Sequence, residues 1–405
     1  MFDVKFGLAP ARLVEVRRVY RSGLLDDTLP FWTRHAVDRE HGGFTFCLDR
    51  DGSLLESDKG MWQHGRFTWL LSTLYADVEA RPEWLELASH GIDFIRKHGF
   101  DSDGRAFFQV TRDGRPLVKR RYVFTETFHA IAFAAYARAA GDERARDEAL
   151  ALFALLRRYL STPGLLEPKV NPAVRQTKGL VVPMILIATA QVLREVAPDP
   201  AELDALIDDW IAEIERDFMK YEFRAVMESV GPNGELHDNF SGRMLCPGHA
   251  IEAGWFILRE AMHRGGDARL IELGCRIVDW MYEWGWDEEH GGILYYRDVK
   301  NLPITEYWHD MKFWWPHNEA IIAALMAYAL TGEQKYERMH DTVLDWSLKH
   351  FADPEHGEWY GYLHRDGSVA SRLKGNVWKG PFHLPRMQMV CWQLVEAMRR
   401  LPGRG

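Results

Sequence analysis

The chain has 405 residues, 47% apolar and 27% charged, which is material for a large water-excluding core. A formal charge of −9, with no block of like charges, argues against a nucleic-acid footprint or a charged tail. Cys47, Cys246, Cys275 and Cys391 are scattered without C-x-x-C spacing, the pattern of reduced thiols rather than of a disulfide frame or a zinc site. The opening "MFDVKFGLAPARLVEVRR" lacks a basic start followed by an apolar core, and no apolar run is long enough to cross a membrane. The expected compartment is the cytoplasm, with no membrane and no nucleic acid as partner.

Length alone suggests two or three domains, but a repeat argues for one, spanning residues 1–405. In chain order, acidic turns open "DREHGGFTFCLDRDG" from Asp38, "DSDGRAFFQVTRDG" from Asp101, "DEEHGGILYYRDVKN" from Asp287 and "DPEHGEWYGYLHRDGS" from Asp353. "GPNGELHDN" from Gly231 reads as a further copy. Each continues through alternating or aromatic residues into a second turn, the signature of a β-hairpin. With Gly43, Gly104, Gly234, Gly292 and Gly357 as markers the steps are 61, 130, 58 and 65, the long one being a double step. The missing copy falls near residue 169, in the turn-rich "STPGLLEPKVNP". Six units of about sixty residues follow from these markers.

The segment before each hairpin is amphipathic, as in "PEWLELASHGIDFIRKH" and "AELDALIDDWIAEIERDF". The segment after it is apolar nearly all round, as in "FTETFHAIAFAAYARAA", "GLVVPMILIATAQVL" and "PHNEAIIAALMAYAL". The second kind is built for burial, so six helical hairpins closing into a ring predict an all-α (α/α)6 barrel, with short β-hairpins between outer and inner helices.

The inner-helix starts converge on one mouth of such a barrel. They read "GMWQHGRFTWLL", "FTETFHAIA", "TKGLVVPMIL", "CPGHAIEAGW", "WWPHNEAII" and "GPFHLPRMQM". Three place a histidine within two residues after a proline: His249, His317 and His383. Helix caps prefer Ser, Thr, Asp or Asn, so the recurrence marks a site rather than three caps. A helix N-terminus disfavours imidazolium, which predicts neutral histidines competent as general bases. Glu252 stands three residues after His249 on the same helix face, placed to orient it or to contact a substrate hydroxyl. Arg66 offers a cationic fork for an oxygen that gains negative charge. Trp62, Trp314, Trp315 and Trp378 offer flat faces to a sugar ring.

The motifs "CPGHAIEAGWFILREA", "MKFWWPHNEAIIAALMAY", "MWQHGRFTWLLSTLY" and "GPFHLPRMQM" resemble those of the N-acylglucosamine 2-epimerase family, across residues 30–398. That resemblance implies an (α/α)6 barrel and interconversion of N-acetyl-D-glucosamine and N-acetyl-D-mannosamine through the C2 proton. It implies His249 and His383 as the catalytic acid/base pair, Arg66 near the carbonyl end, and His317 with Glu319 as a further site pair. It also implies a homodimer and, in some members, activation by ATP. No phosphate-cradling G-x-x-x-x-G-K-[ST] loop supports a nucleotide here, and no cofactor is expected. Related cellobiose 2-epimerases and mannose isomerases carry a His-x-x-Glu pair on the third inner helix. The sequence "KGLVVPMIL" lacks it, which places this chain with the N-acylglucosamine branch.

Two other chemistries fit the same residues. An aldose–ketose isomerase uses the same enediolate but reprotonates C1. A glycoside hydrolase needs a carboxylate pair, for which Glu126, Glu252 and Glu319 are the candidates, though histidine predominates at the mouth. No H-x-H or H-x-x-x-H occurs at the mouths, so no metal is expected.

Overall fold

The computed structural model describes residues 2–120 and 122–401. Fourteen α-helices follow one another among the described residues: α1 (Pro10–Ser22), α2 (Leu29–His35), α3 (Met61–Asp77), α4 (Pro82–His98), α5 (Phe124–Ala140), α6 (Glu143–Ser161) and α7 (Val181–Leu193). Then come α8 (Pro200–Glu213), α9 (Phe240–Arg243), α10 (Pro247–His263), α11 (Ala268–Gly285), α12 (Trp314–Thr331), α13 (Gln334–His350) and α14 (His383–Arg399). Helices α3, α5, α7, α10, α12 and α14 form an inner ring in which each packs on the next and α14 closes on α3. The outer ring is α1 with α2, then α4, α6, α8, α11 and α13. This is the (α/α)6 barrel the repeat predicts.

Local chemistry places the helix ends. Asp142 and Asp267 cap α6 and α11 by accepting the Ala145 and Leu270 N–H groups, at 3.0 Å each. Proline opens α4, α8 and α10, where its missing N–H costs nothing. Burial then sorts the rings. On α12 every residue from Trp314 to Leu330 is buried, whereas α13 buries one face only.

The hairpins differ from the sequence reading in one register. Gly43, Gly104, Gly292 and Gly357 close first turns, but Gly234 closes a second turn, as do Gly52, Gly114 and Gly367. Those four share φ between +84° and +90°, a conformation that suits glycine. The first turn of the fourth unit is Tyr221–Arg224, which carries no glycine marker; Arg224 takes its positive φ. The segment near residue 169 forms turns without a strand pair, as expected of the degenerate copy.

The acidic residues of the first turns have a structural role that spacing alone did not reveal. Asp38, Asp287 and Asp353 each grip a buried lysine from the segment before the inner helix: Lys59 at 3.0 Å, Lys312 at 2.9 Å and Lys374 at 3.0 Å. Each also takes a bidentate arginine from the next hairpin around the ring, Arg112, Arg365 and Arg50 respectively. These arginines belong to the recurring tripeptide Arg-Asp-Gly. The Arg50–Asp353 pair joins the first unit to the last and so helps close the ring. Burial opposes ionisation of the three aspartates, but the arginine and lysine hydrogen bonds outweigh it and hold all three carboxyls far below their usual range. Because the unfolded carboxylates bind protons near pH 4 and the folded ones do not, this stabilisation is complete above about pH 4 and is lost as pH falls further. Asp287→Ala strands the buried Lys312 and should cost about 3–5 kcal/mol in denaturant unfolding at neutral pH. A shift below about 1 kcal/mol would show the lysine finds another partner.

Candidate active site

A cavity of about 920 Å³ opens at the N-terminal ends of the inner helices and runs down the barrel axis. Arg66, Trp62, His249, Glu252, Trp314, Trp315, Trp378 and His383 all line it. Glu126, His317 and Glu319 do not. Spacing explains the division. His249 precedes Glu252 by three residues and His383 precedes Arg386 by three, whereas His317 precedes Glu319 by two. One residue turns a helical side chain by about 100°, which carries His317 from the inner face to the outer layer.

His317 is a structural group. Its ring is fully buried, its Nε2 accepts the Ile293 N–H at 2.8 Å, and its Nδ1–H donates to the Phe313 carbonyl at 2.7 Å. It stacks on Trp346, and burial pushes its pKa down to about 3. His64 holds the Phe44 N–H in the same way on α3, again two residues before the inward-facing position occupied by Arg66. Glu126 is likewise structural, buried against Arg105 and the Ala106 N–H.

The two cavity histidines are each oriented by a carboxylate, and neither is Glu252. His249 Nδ1 lies 3.0 Å from Glu228, a residue that no motif or spacing marks. His383 Nδ1 lies 2.7 Å from Glu319, which stands beneath the cavity rather than on its wall. A carboxylate accepts, so Nδ1–H is the donor in each pair, which leaves Nε2 as the nitrogen available to a ligand. Glu252 instead pairs with Arg386 at 2.5 Å, and the same guanidinium reaches Glu319 at 2.7 Å. Trp255 Nε1–H adds a bond to Glu319 at 2.7 Å. Arg386 was legible in principle, being three residues after His383 as Glu252 is after His249.

The electrostatics of the two rings diverge. Burial, the Arg386 cation and Arg66 lower the His383 pKa well below its ordinary value, despite Glu252 nearby. His383 is therefore neutral, as the sequence reading expected. For His249 burial acts the same way, but the Cys246 sulfur and the Glu228 carboxylate outweigh it and raise the pKa well above the ordinary value. Cys246 is itself kept a thiol by burial, so Glu228 is the charge that matters. The expectation of a neutral His249 is thus corrected: a carboxylate at 3.0 Å overrides the helix N-terminus. Trp315 stands between the rings, 4.9 Å from His249 and 5.7 Å from His383 by centroid.

Among the described residues, Arg66 has no carboxylate in contact. Its guanidinium sits between the rings of Phe128, Phe382 and Trp62, at 4.1, 4.6 and 5.4 Å, and its buried Nε has no partner. Burial lowers its pKa to about 9 against the pull of Glu252 and Glu319. Two clusters among the described residues bring three candidate metal-ligand atoms within 4.8 Å: Glu228, Cys246 and His249, and Glu252, Glu319 and His383. In the second, the Arg386 guanidinium already stands where a cation would bind.

Residues 42–383 match the family described as N-acylglucosamine 2-epimerase (GlcNAc 2-epimerase). The chain is 37% identical to the N-acylglucosamine 2-epimerase of Bos taurus over 381 residues, 92% of this chain and 89% of that one. It is 34% identical to that of Homo sapiens over 389 residues, 94% and 90% of the two chains. In fold it is similar to the cellobiose 2-epimerase from Bacillus thermoamylovorans B4167, with a TM-score of 0.82 at 21% identity, covering 95% of this chain and 99% of that one. The barrel and these relatives define a sugar epimerase, an isomerase that acts on carbohydrates. The chain belongs to the N-acylglucosamine 2-epimerase family. No helix among the described residues is long and apolar enough to cross a membrane.

Proposed function

We propose that this enzyme interconverts N-acetyl-D-glucosamine and N-acetyl-D-mannosamine by moving the proton on C2. The observation that carries the reading is the pair of histidines lining one cavity, each held through Nδ1 by a carboxylate, with the Arg66 guanidinium in the same cavity. The C2–H bond becomes acidic only in the open-chain aldehyde. Ring opening falls to water or a cavity group, because His317 lies outside. Neutral His383 takes the C2 proton through Nε2, and the electron pair passes into an enediolate whose oxygen faces Arg66. The His249 imidazolium then delivers its Nε2 proton to the opposite face of C2, inverting it. A single base would return the proton to the face it left. Glu319 and Glu228 fix the tautomers, and Glu252 and the tryptophans remain on the wall as substrate contacts.

The histidine pair works with one proton on it, so kcat/KM should follow a bell in both directions. The acid limb belongs to protonation of the pair below the ordinary histidine pKa and the basic limb to its deprotonation above it. A monotonic profile between pH 5 and 9 would contradict this. A sugar panel in D2O followed by NMR tests the reaction itself: deuterium should enter C2 of the epimerised product. Deuterium at C1 of a ketose would favour the isomerase reading instead. Glycoside hydrolysis is disfavoured because Glu252 and Glu319 share one guanidinium and Glu126 is buried against Arg105, which leaves none of the three candidate acids free.

A further inference from the structure

The cavity is chemically two-sided. Its histidines and most of its charged groups come from α3, α10 and α14. The α5–α7 wall, by contrast, is apolar along its length. On α7, Val181, Met184, Ile185, Ala188 and Val192 line it on one helix face, a stripe about 16 Å long. Ile131 of α5 continues the same surface. The one hydroxyl of α7 on this wall, that of Thr189, already donates to the Ile185 carbonyl at 2.7 Å. Gln191 turns away and bonds the Phe256 carbonyl and Glu260. This wall therefore offers no side-chain donor to a ligand, and its one acceptor is the Thr189 oxygen.

A sugar hydroxyl pressed against such a wall loses its water without gaining a partner, which is unfavourable. An apolar chain gains there instead. Of the parts of a 2-acylamino hexose, the acyl chain alone has that character. The volume agrees: about 920 Å³ lies at the upper end of the range for drug-sized ligands, well beyond one hexosamine. We infer that the α5–α7 trough is an acyl-chain subsite, and that the enzyme prefers 2-acylamino hexoses with acyl groups longer than acetyl. This rests on the 2-epimerase reading, and it names the part of the substrate that the apolar wall selects. Met184, Ile185 and Ala188 are the specificity-determining residues.

The test is a homologous series of N-acetyl-, N-propanoyl-, N-butanoyl- and N-hexanoyl-D-glucosamine, with kcat/KM read from C2 deuterium incorporation. Each added methylene should raise kcat/KM about three- to fivefold up to butanoyl, the gain expected for burying one methylene. Ile185→Trp and Ala188→Phe fill the trough at two levels. In either variant the butanoyl-to-acetyl ratio should fall to about one or below, and reading it as a ratio cancels any loss common to both sugars. Far-UV circular dichroism confirms that the variants fold, and the wild-type series stands as a test without them. A wild-type rate that is flat or falls from acetyl to butanoyl overturns the subsite. Persistence of the preference in both folded variants does the same. If no member of the series exchanges at C2, the epimerase reading itself has failed, which is a distinguishable result.

Discussion

His383→Asn and His249→Asn should each reduce net epimerisation by about 10²- to 10⁴-fold, the usual worth of a general acid or base. The more telling result is which half-reaction survives. In His249→Asn, His383 still reaches one face of C2. With the epimer that presents its proton there, deuterium from D2O should wash into unreacted substrate while no product forms. In His383→Asn the complementary epimer should show exchange, at a lower rate because the remaining histidine rests protonated beside Glu228. Either variant keeping more than about a tenth of the wild-type rate would remove that histidine from the pair. Inversion of C2 at a near wild-type rate by one histidine alone would defeat the two-base mechanism outright. The barrel should survive both substitutions, since both rings line the cavity and neither is packed into the outer layer as His317 is against Trp346.

Arg66→Met should move activity and stability apart. The guanidinium lies buried among three aromatic rings with no carboxylate in contact and its Nε unpartnered. A buried cation left in this state is costly in the resting enzyme, and negative charge on a substrate oxygen would relieve that cost. Removing it should lower kcat by about 10²- to 10³-fold, as for other donors aimed at a developing oxyanion, and slow C2 exchange with either epimer. The denaturation midpoint should stay the same or rise, the pattern of a residue kept for function at the expense of stability. A fall in stability with kcat intact would mark Arg66 as a packing residue held by its cation–π contacts.

The barrel was legible in the sequence because both of its signals are local. A helix buried on all sides reads apolar throughout, and an acidic glycine turn every sixty residues or so needs no partner to be seen. The misplaced Gly234 shows the limit of that reading. First and second turns use the same residue types, and only backbone pairing separates them. The hairpin aspartates read as turn formers alone, since the lysine and arginine that each grips lie 21–25 and 74 or more residues away.

For the site, the sequence by itself determined which residues stand at the barrel mouth: His249, His383, Arg66 and the tryptophans are fixed there by repeat position. It did not determine which way each points or what charge it carries. A shift of one residue in helical phase sent His317 outward, although its motif looks like the other two. The opposite pKa shifts of His249 and His383 come from Glu228 on one side and from burial with Arg386 and Arg66 on the other. Of these, Glu228 comes from a different part of the chain and has no spacing relation to the histidine it charges. Side-chain direction and pKa depend on distances of a few ångströms between elements that ring closure alone brings together, and no local pattern encodes them.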